Sequence, residues 1–215
     1  MFKPKRLLKI TPLFLVFAVL VALSGKLVEL VLCLVALSVH EIGHILVAKK
    51  LGYPVKRVVL SPFGAAIGLD GMSDKDEFLI ALSGPFANLI FGVLCLFLRC
   101  IITFLAGQFN ALAVFNLALC VFNLLPFYPL DGARIVLSFS KKRLAMLSRL
   151  KRAGFVASAV FGALCIISIF FNFNLSLGLM SLFLLFGAVT SEKKEYFSQL
   201  VKLTKRRKKS QKVAV

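Results

Sequence analysis

The sequence predicts an all-α polytopic membrane protein of about six transmembrane helices, with a small membrane-surface β-hairpin between the second and third. Three observations carry that expectation. Apolar residues make up 60% of the 215, and the mean hydropathy is +0.93. Apolar runs recur along nearly the whole chain, many near the ~20 residues needed to cross about 30 Å of hydrocarbon. The formal net charge is +18, yet the cations gather in the gaps between those runs.

A first span is expected at residues 10–24, after Lys3, Lys5, Arg6 and Lys9. No small-x-small cleavage site leading into a soluble domain follows it, so it reads as a retained span and not a signal peptide. Lys26 ends it, and a second span follows at 27–48. Residues 49–78 form the one substantial loop. There Tyr53-Pro-Val-Lys-Arg-Val-Val-Leu60 is β-prone, Ser61-Pro-Phe-Gly64 reads as a turn, and residues 65–69 supply a return strand. Span three is expected at 78–105, with Ser83-Gly84-Pro85 kinking it and freeing backbone carbonyls. Gly107-Gln-Phe-Asn110 reads as a tight turn, span four as 111–125, and a basic stretch as 134–152. Spans five (153–171) and six (175–189) are joined by Asn172-Phe-Asn174. Residues 1–190 thus form one six-span domain, and 191–215 a basic cytoplasmic tail.

Six spans put both termini on one side. That side collects 25 of the 27 Lys and Arg residues, leaving only Lys26 and Arg99 elsewhere. The positive-inside rule therefore expects a multi-pass cell-membrane protein with both termini, the 49–78 loop and the basic stretch in the cytoplasm. Topology and attraction to anionic lipid account for Lys205-Arg-Arg-Lys-Lys209, so no nucleic-acid partner is expected. The five cysteines all sit in apolar runs without a C-x-x-C pair, which reads as small reduced hydrophobes.

The chemistry concentrates in His40-Glu41-Ile42-Gly43-His44, which holds both histidines of the chain. Positions i and i+4 share a helix face, so His40 and His44 can both offer a ring nitrogen to one metal ion. Glu41 lies about 100° round the helix, within reach of water at that metal as a general base. Such an H-E-x-x-H arises by chance in about one such chain in a thousand. The bland reading is a pair of hydrogen-bonded core histidines. Against it, an ionisable group at a membrane helix centre costs about 2.5–3.5 kcal/mol on insertion scales and calls for a reason. Catalytic zinc takes three protein ligands and leaves one position for water. Asp131 is the best available third ligand, being the only acid between Glu77 and Glu192. Pro126 and Pro129 would unwind its segment. Alone, Pro-Leu-Asp-Gly is an ordinary turn; with H-E-x-x-H at matching depth it becomes a metal arm.

With these residues in hand the chain resembles the site-2 proteases, intramembrane zinc metalloproteases. The resemblance rests on His40-Glu-Ile-Gly-His44, on Gly84-Pro85 with Asn88, and on Asn123-Leu-Leu-Pro-Phe-Tyr-Pro-Leu-Asp131-Gly132. It implies zinc held by His40, His44 and Asp131, Glu41 as general base, and Asn123 holding the substrate strand or the oxyanion. Six spans with cytoplasmic termini look most like the sporulation branch, which processes a membrane-associated sigma-factor precursor. That branch usually adds a CBS domain, for which only about 25 polar residues remain after span six. The implied reaction is hydrolysis of a peptide bond within or beside a transmembrane or membrane-associated segment of a regulatory protein. The strand at 55–60, with Val58 and Val59, would either pair with the unwound substrate or be structural alone. The rival function is a transporter or proton relay using His40, Glu41, His44 and Asp131. It predicts inverted repeats, and none is visible between spans one to three and four to six. A pseudoenzyme is a third reading, countered by the intact ligand set. Partners are a membrane or membrane-associated substrate and the bilayer; the sequence leaves oligomeric state, pathway and trigger open.

Overall fold

The computed structural model describes residues 8–10, 25, 27–53, 58–61, 64–67 and 72–168, with isolated positions at 181, 184, 185 and 189. In chain order the elements are β1 (Leu8–Ile10), α1 (Leu27–Lys50), β2 (Val58–Ser61), β3 (Gly64–Ile67), α2 (Asp74–Ile101), α3 (Ala106–Asn123), α4 (Asp131–Ser138) and α5 (Arg143–Ser168). Among the described residues, four helices are long and apolar enough to cross a membrane: Leu27–Lys50, Asp74–Ile101, Thr103–Asn123 and Arg143–Ile167. At 1.5 Å per residue, the 24 residues of α1 rise about 36 Å, enough for the hydrocarbon layer. Of the expected first span only Ile10 is described, in β1. The sixth lies almost wholly outside the described residues, as does the 191–215 tail.

The chain divides into two compact units, residues 1–69 with 76–124 and residues 70–75 with 125–215. In the first, α1 buries an i+4 row, Ala36, His40, His44 and Ala48, and exposes Val28, Val31, Val35, Ile42 and Leu46. Between Val31 and Leu46 apolar groups face out and ionisable ones in, the reverse of a water-soluble helix. The first unit contains a very close approach of α1 to α2. A Cβ on Gly43 would stand 2.6 Å from the Ser83 carbonyl oxygen and 2.8 Å from Ala87 Cβ. Only glycine fits there, the small-residue contact that lets membrane helices touch. Asn88, fully buried on α2, donates from Nδ2 to the Ala36 carbonyl at 3.3 Å, tying the same two helices together.

The strand order is β1-β2-β3. β2 pairs antiparallel with β3 (Val58↔Ile67, Val59↔Ala66) and parallel with β1 (Leu8↔Val58, Lys9↔Val59). Val58 and Val59 therefore occupy the middle strand, with both hydrogen-bonding edges used within the chain. The outer edges belong to β1 and β3, and β1 escaped the sequence reading because it opens what looks like a membrane span.

One correction concerns Gly107-Gln-Phe-Asn110. These residues lie inside α3, and the turn falls earlier, in a 3₁₀ segment at Thr103–Leu105. Gly107 has no positive φ to force a turn. Asn110 instead accepts a 2.7 Å hydrogen bond from Arg99, joining α2 to α3 across that turn.

In the second unit, Ala133 and Leu137 of α4 pack on Leu147 and Leu150 of α5, with Tyr128, Val136 and Met146 around them. Helix α5 begins at Arg143, ten residues before the expected fifth span, so part of the basic stretch is the first turns of that helix. Ser158 and Ser181 each donate a 2.8 Å hydrogen bond to the other's carbonyl.

Candidate metal centre

His40 and His44 stand one turn apart on α1, and both are buried. Their rings meet edge to face with centroids 4.7 Å apart, and the two Nε2 atoms are 3.1 Å apart. Two zinc–nitrogen bonds of 2.0–2.1 Å at a tetrahedral angle hold their nitrogens about 3.3 Å apart. The pair therefore has the bite of a chelate, and the same separation accommodates a proton between the rings. Glu41 is buried beside them and off their shared face.

Helix α2 supplies the wall. The His44 Nδ1 lies 2.6 Å from the Ile80 carbonyl oxygen. Ser83 donates its hydroxyl to that same oxygen at 2.7 Å, and its Oγ lies 3.5 Å from His44 Nδ1. Gly84 lies directly against the rings: a Cβ there would stand 2.9 Å from His40 Cε1 and closer still to the His44 ring. Pro85 continues the helix without an N–H, so the Ala81 carbonyl loses its usual donor.

Asp131 opens α4, preceded by Leu130 in extended conformation. It is 6% exposed, and Arg134 one turn on reaches its Oδ1 at 3.3 Å. The positive end of the helix dipole and the guanidinium both act on a carboxylate placed there. His40, His44 and Asp131 are the candidate ligands for a metal ion among the described residues. Two imidazoles and a carboxylate are a donor set suited to a catalytic zinc with an open position.

Asn123 is the last residue of α3, half-buried, with Nδ2 donating to the Leu119 carbonyl at 3.0 Å. One of its N–H groups is thus engaged in its own helix. Val58 and Val59 belong to the sheet described above. The sequence reading missed Ser83 and the Ile80 carbonyl, and it took Gly84 for part of a kink when it is a contact surface. The signal was present in the adjacent small residues Ser83 and Gly84, which mark close helix approach as readily as a bend.

The model of peptidase family M50 matches residues 28–107 and 99–167. A zinc metalloprotease of Methanocaldococcus jannaschii is 32% identical over 167 residues, covering 74% of this chain and 47% of that protein. Stage IV sporulation protein FB of Bacillus subtilis is 30% identical over 135 residues, covering 61% of this chain and 47% of that protein. The chain thus spans about half the length of the curated relatives it matches. A solved site-2 protease from M. jannaschii superposes with a TM-score of 0.69 at 28% identity, covering 88% of this chain and 93% of that one.

Proposed function

The chain belongs to peptidase family M50, and from that premise we propose that it is an intramembrane zinc metalloprotease. It hydrolyses a peptide bond within or next to a transmembrane or membrane-associated segment of a regulatory protein. The observation that carries this reading is the buried pair of His40 and His44 on α1, with Nε2 atoms 3.1 Å apart, to which Asp131 adds the proposed third ligand. Bound zinc supplies a Lewis acid that polarises the scissile carbonyl and acidifies water. Glu41, beside the ligands on α1, takes the proton of the attacking water and passes it to the leaving amine nitrogen. Asn123 donates its remaining amide N–H to the substrate strand or the developing oxyanion. A substrate helix must unwind to expose its bond, and the freed strand finds backbone partners at the outer edge of β1 or β3. The sheet lies at the membrane surface in this reading, between the second and third of six spans.

The test is metal and peptide together. Purified full-length protein should carry one zinc per chain and cleave a transmembrane test peptide. Zinc should be lost or greatly weakened in His40→Ala, His44→Ala and Asp131→Ala, as read by elemental analysis. Full zinc and full activity in Asp131→Ala would move the third ligand elsewhere. The transporter reading expects no cleavage by the parent protein at all.

Orientation follows from the distribution of the 27 cations. Reporter fusions at Gly52, Lys142 and Val215 should read as cytoplasmic, and those at Gln108 and Asn172 as external. An external reading at Lys142 would break the six-span topology.

A further inference from the structure

We propose that Ser83 is a positioning residue for the metal centre: with the Ile80 carbonyl it fixes His44 in the tautomer whose lone pair is on Nε2. The inference rests on the zinc-protease reading above. A neutral imidazole carries one proton, and the partner of the far nitrogen decides which nitrogen is left to bind. A carbonyl oxygen only accepts, so the 2.6 Å contact from the Ile80 oxygen requires the proton on His44 Nδ1. Nε2 then presents its lone pair, and Nε2 is the atom 3.1 Å from its His40 counterpart.

Ser83 reinforces this in two ways. Its own hydroxyl proton is committed to the Ile80 oxygen at 2.7 Å, so the face it turns to His44 is a lone pair. At 3.5 Å that oxygen is a second, longer acceptor for the Nδ1 proton. The imidazole torsion is intrinsically broad, and two oxygens on one side narrow it. Gly84, the next residue, leaves the space into which the ring fits. The Ser-Gly step of α2 is therefore a ring seat: one residue holds the proton side and the other clears room for the ring.

Because the chain has only two histidines, ¹⁵N-histidine labelling yields two imidazoles and a directly readable tautomer. The zinc-free parent should show His44 with Nδ1 protonated and Nε2 bare. Ser83→Ala and Ser83→Val should add the opposite tautomer and weaken zinc, by competition with a chelator, about tenfold to a hundredfold, the usual range for outer-shell partners. Ser83→Thr, which matches valine in shape but keeps the hydroxyl, should retain both properties. Equal zinc affinity and one unchanged tautomer across alanine, valine and threonine variants would overturn the proposal. Loss in threonine equal to that in valine would also overturn it, by making packing the cause. A parent that binds no zinc would sink the protease reading instead, while the tautomer comparison would still decide the role of Ser83.

Discussion

Glu41→Gln should keep its zinc and lose hydrolysis by about 10²-fold to 10⁴-fold, the usual worth of general acid–base catalysis. Glutamine preserves the shape and can still hydrogen-bond water, but it cannot take a proton at neutral pH. Glu41 follows His40 on α1 and is 8% exposed, so its carboxylate is buried beside the metal ligands without sharing their face. Zinc content and cleavage of a transmembrane test peptide, measured on the same preparation, separate the alternatives. Retained cleavage with retained zinc removes Glu41 from the mechanism. Simultaneous loss of both makes it structural. A pseudoenzyme would show no difference between parent and variant in any cleavage assay.

Gly84→Ala should weaken zinc more than 100-fold while leaving the helix intact. The added methyl would stand 2.9 Å from His40 Cε1 and closer still to the His44 ring, so either the rings turn or α2 retreats from α1. Losing a hydrogen-bond partner of a ligand already costs about 10- to 100-fold in metal affinity, and here the methyl displaces the ligand ring itself. Alanine is the better helix former by about 1 kcal/mol, so secondary structure by circular dichroism should not fall. Gly107→Ala is the control, since nothing lies within 4 Å of a Cβ there; its zinc affinity should match the parent. Parent-like zinc in Gly84→Ala would mean that the helices yield at no cost.

The metal arm on α1 was legible in the sequence because i,i+4 spacing on a helix dictates which side chains meet, whatever surrounds them. Asp131 was legible by elimination, as the one acid in a long apolar region. Helices α1 to α3 were found by length and hydropathy, with starts displaced by four residues in α2 and five in α3, because hydropathy does not register a polar first turn such as Asp74–Glu77. The wall opposite the histidines was not legible. Its active group at Ile80 is a backbone carbonyl, which every residue has, and only the docking of α2 on α1 makes that oxygen special. The place of β2 was hidden for a similar reason: pairing with Leu8–Ile10 is non-local and leaves no spacing signal.

The contact of Gly43 with Ser83 and Gly84 makes the crossing of α1 and α2 a fulcrum placed at the histidines. Membrane helices adjust their tilt to bilayer thickness. A 10° swing about a crossing moves a point 15 Å along the axis, ten residues away at the helical rise, by about 2.6 Å. At the crossing itself the same swing moves atoms hardly at all. Tilting of one helix on the other therefore spends itself at the helix ends, where lipid and loops can absorb it, and the His44 ring keeps its place against the Ile80 carbonyl from a thin bilayer to a thick one.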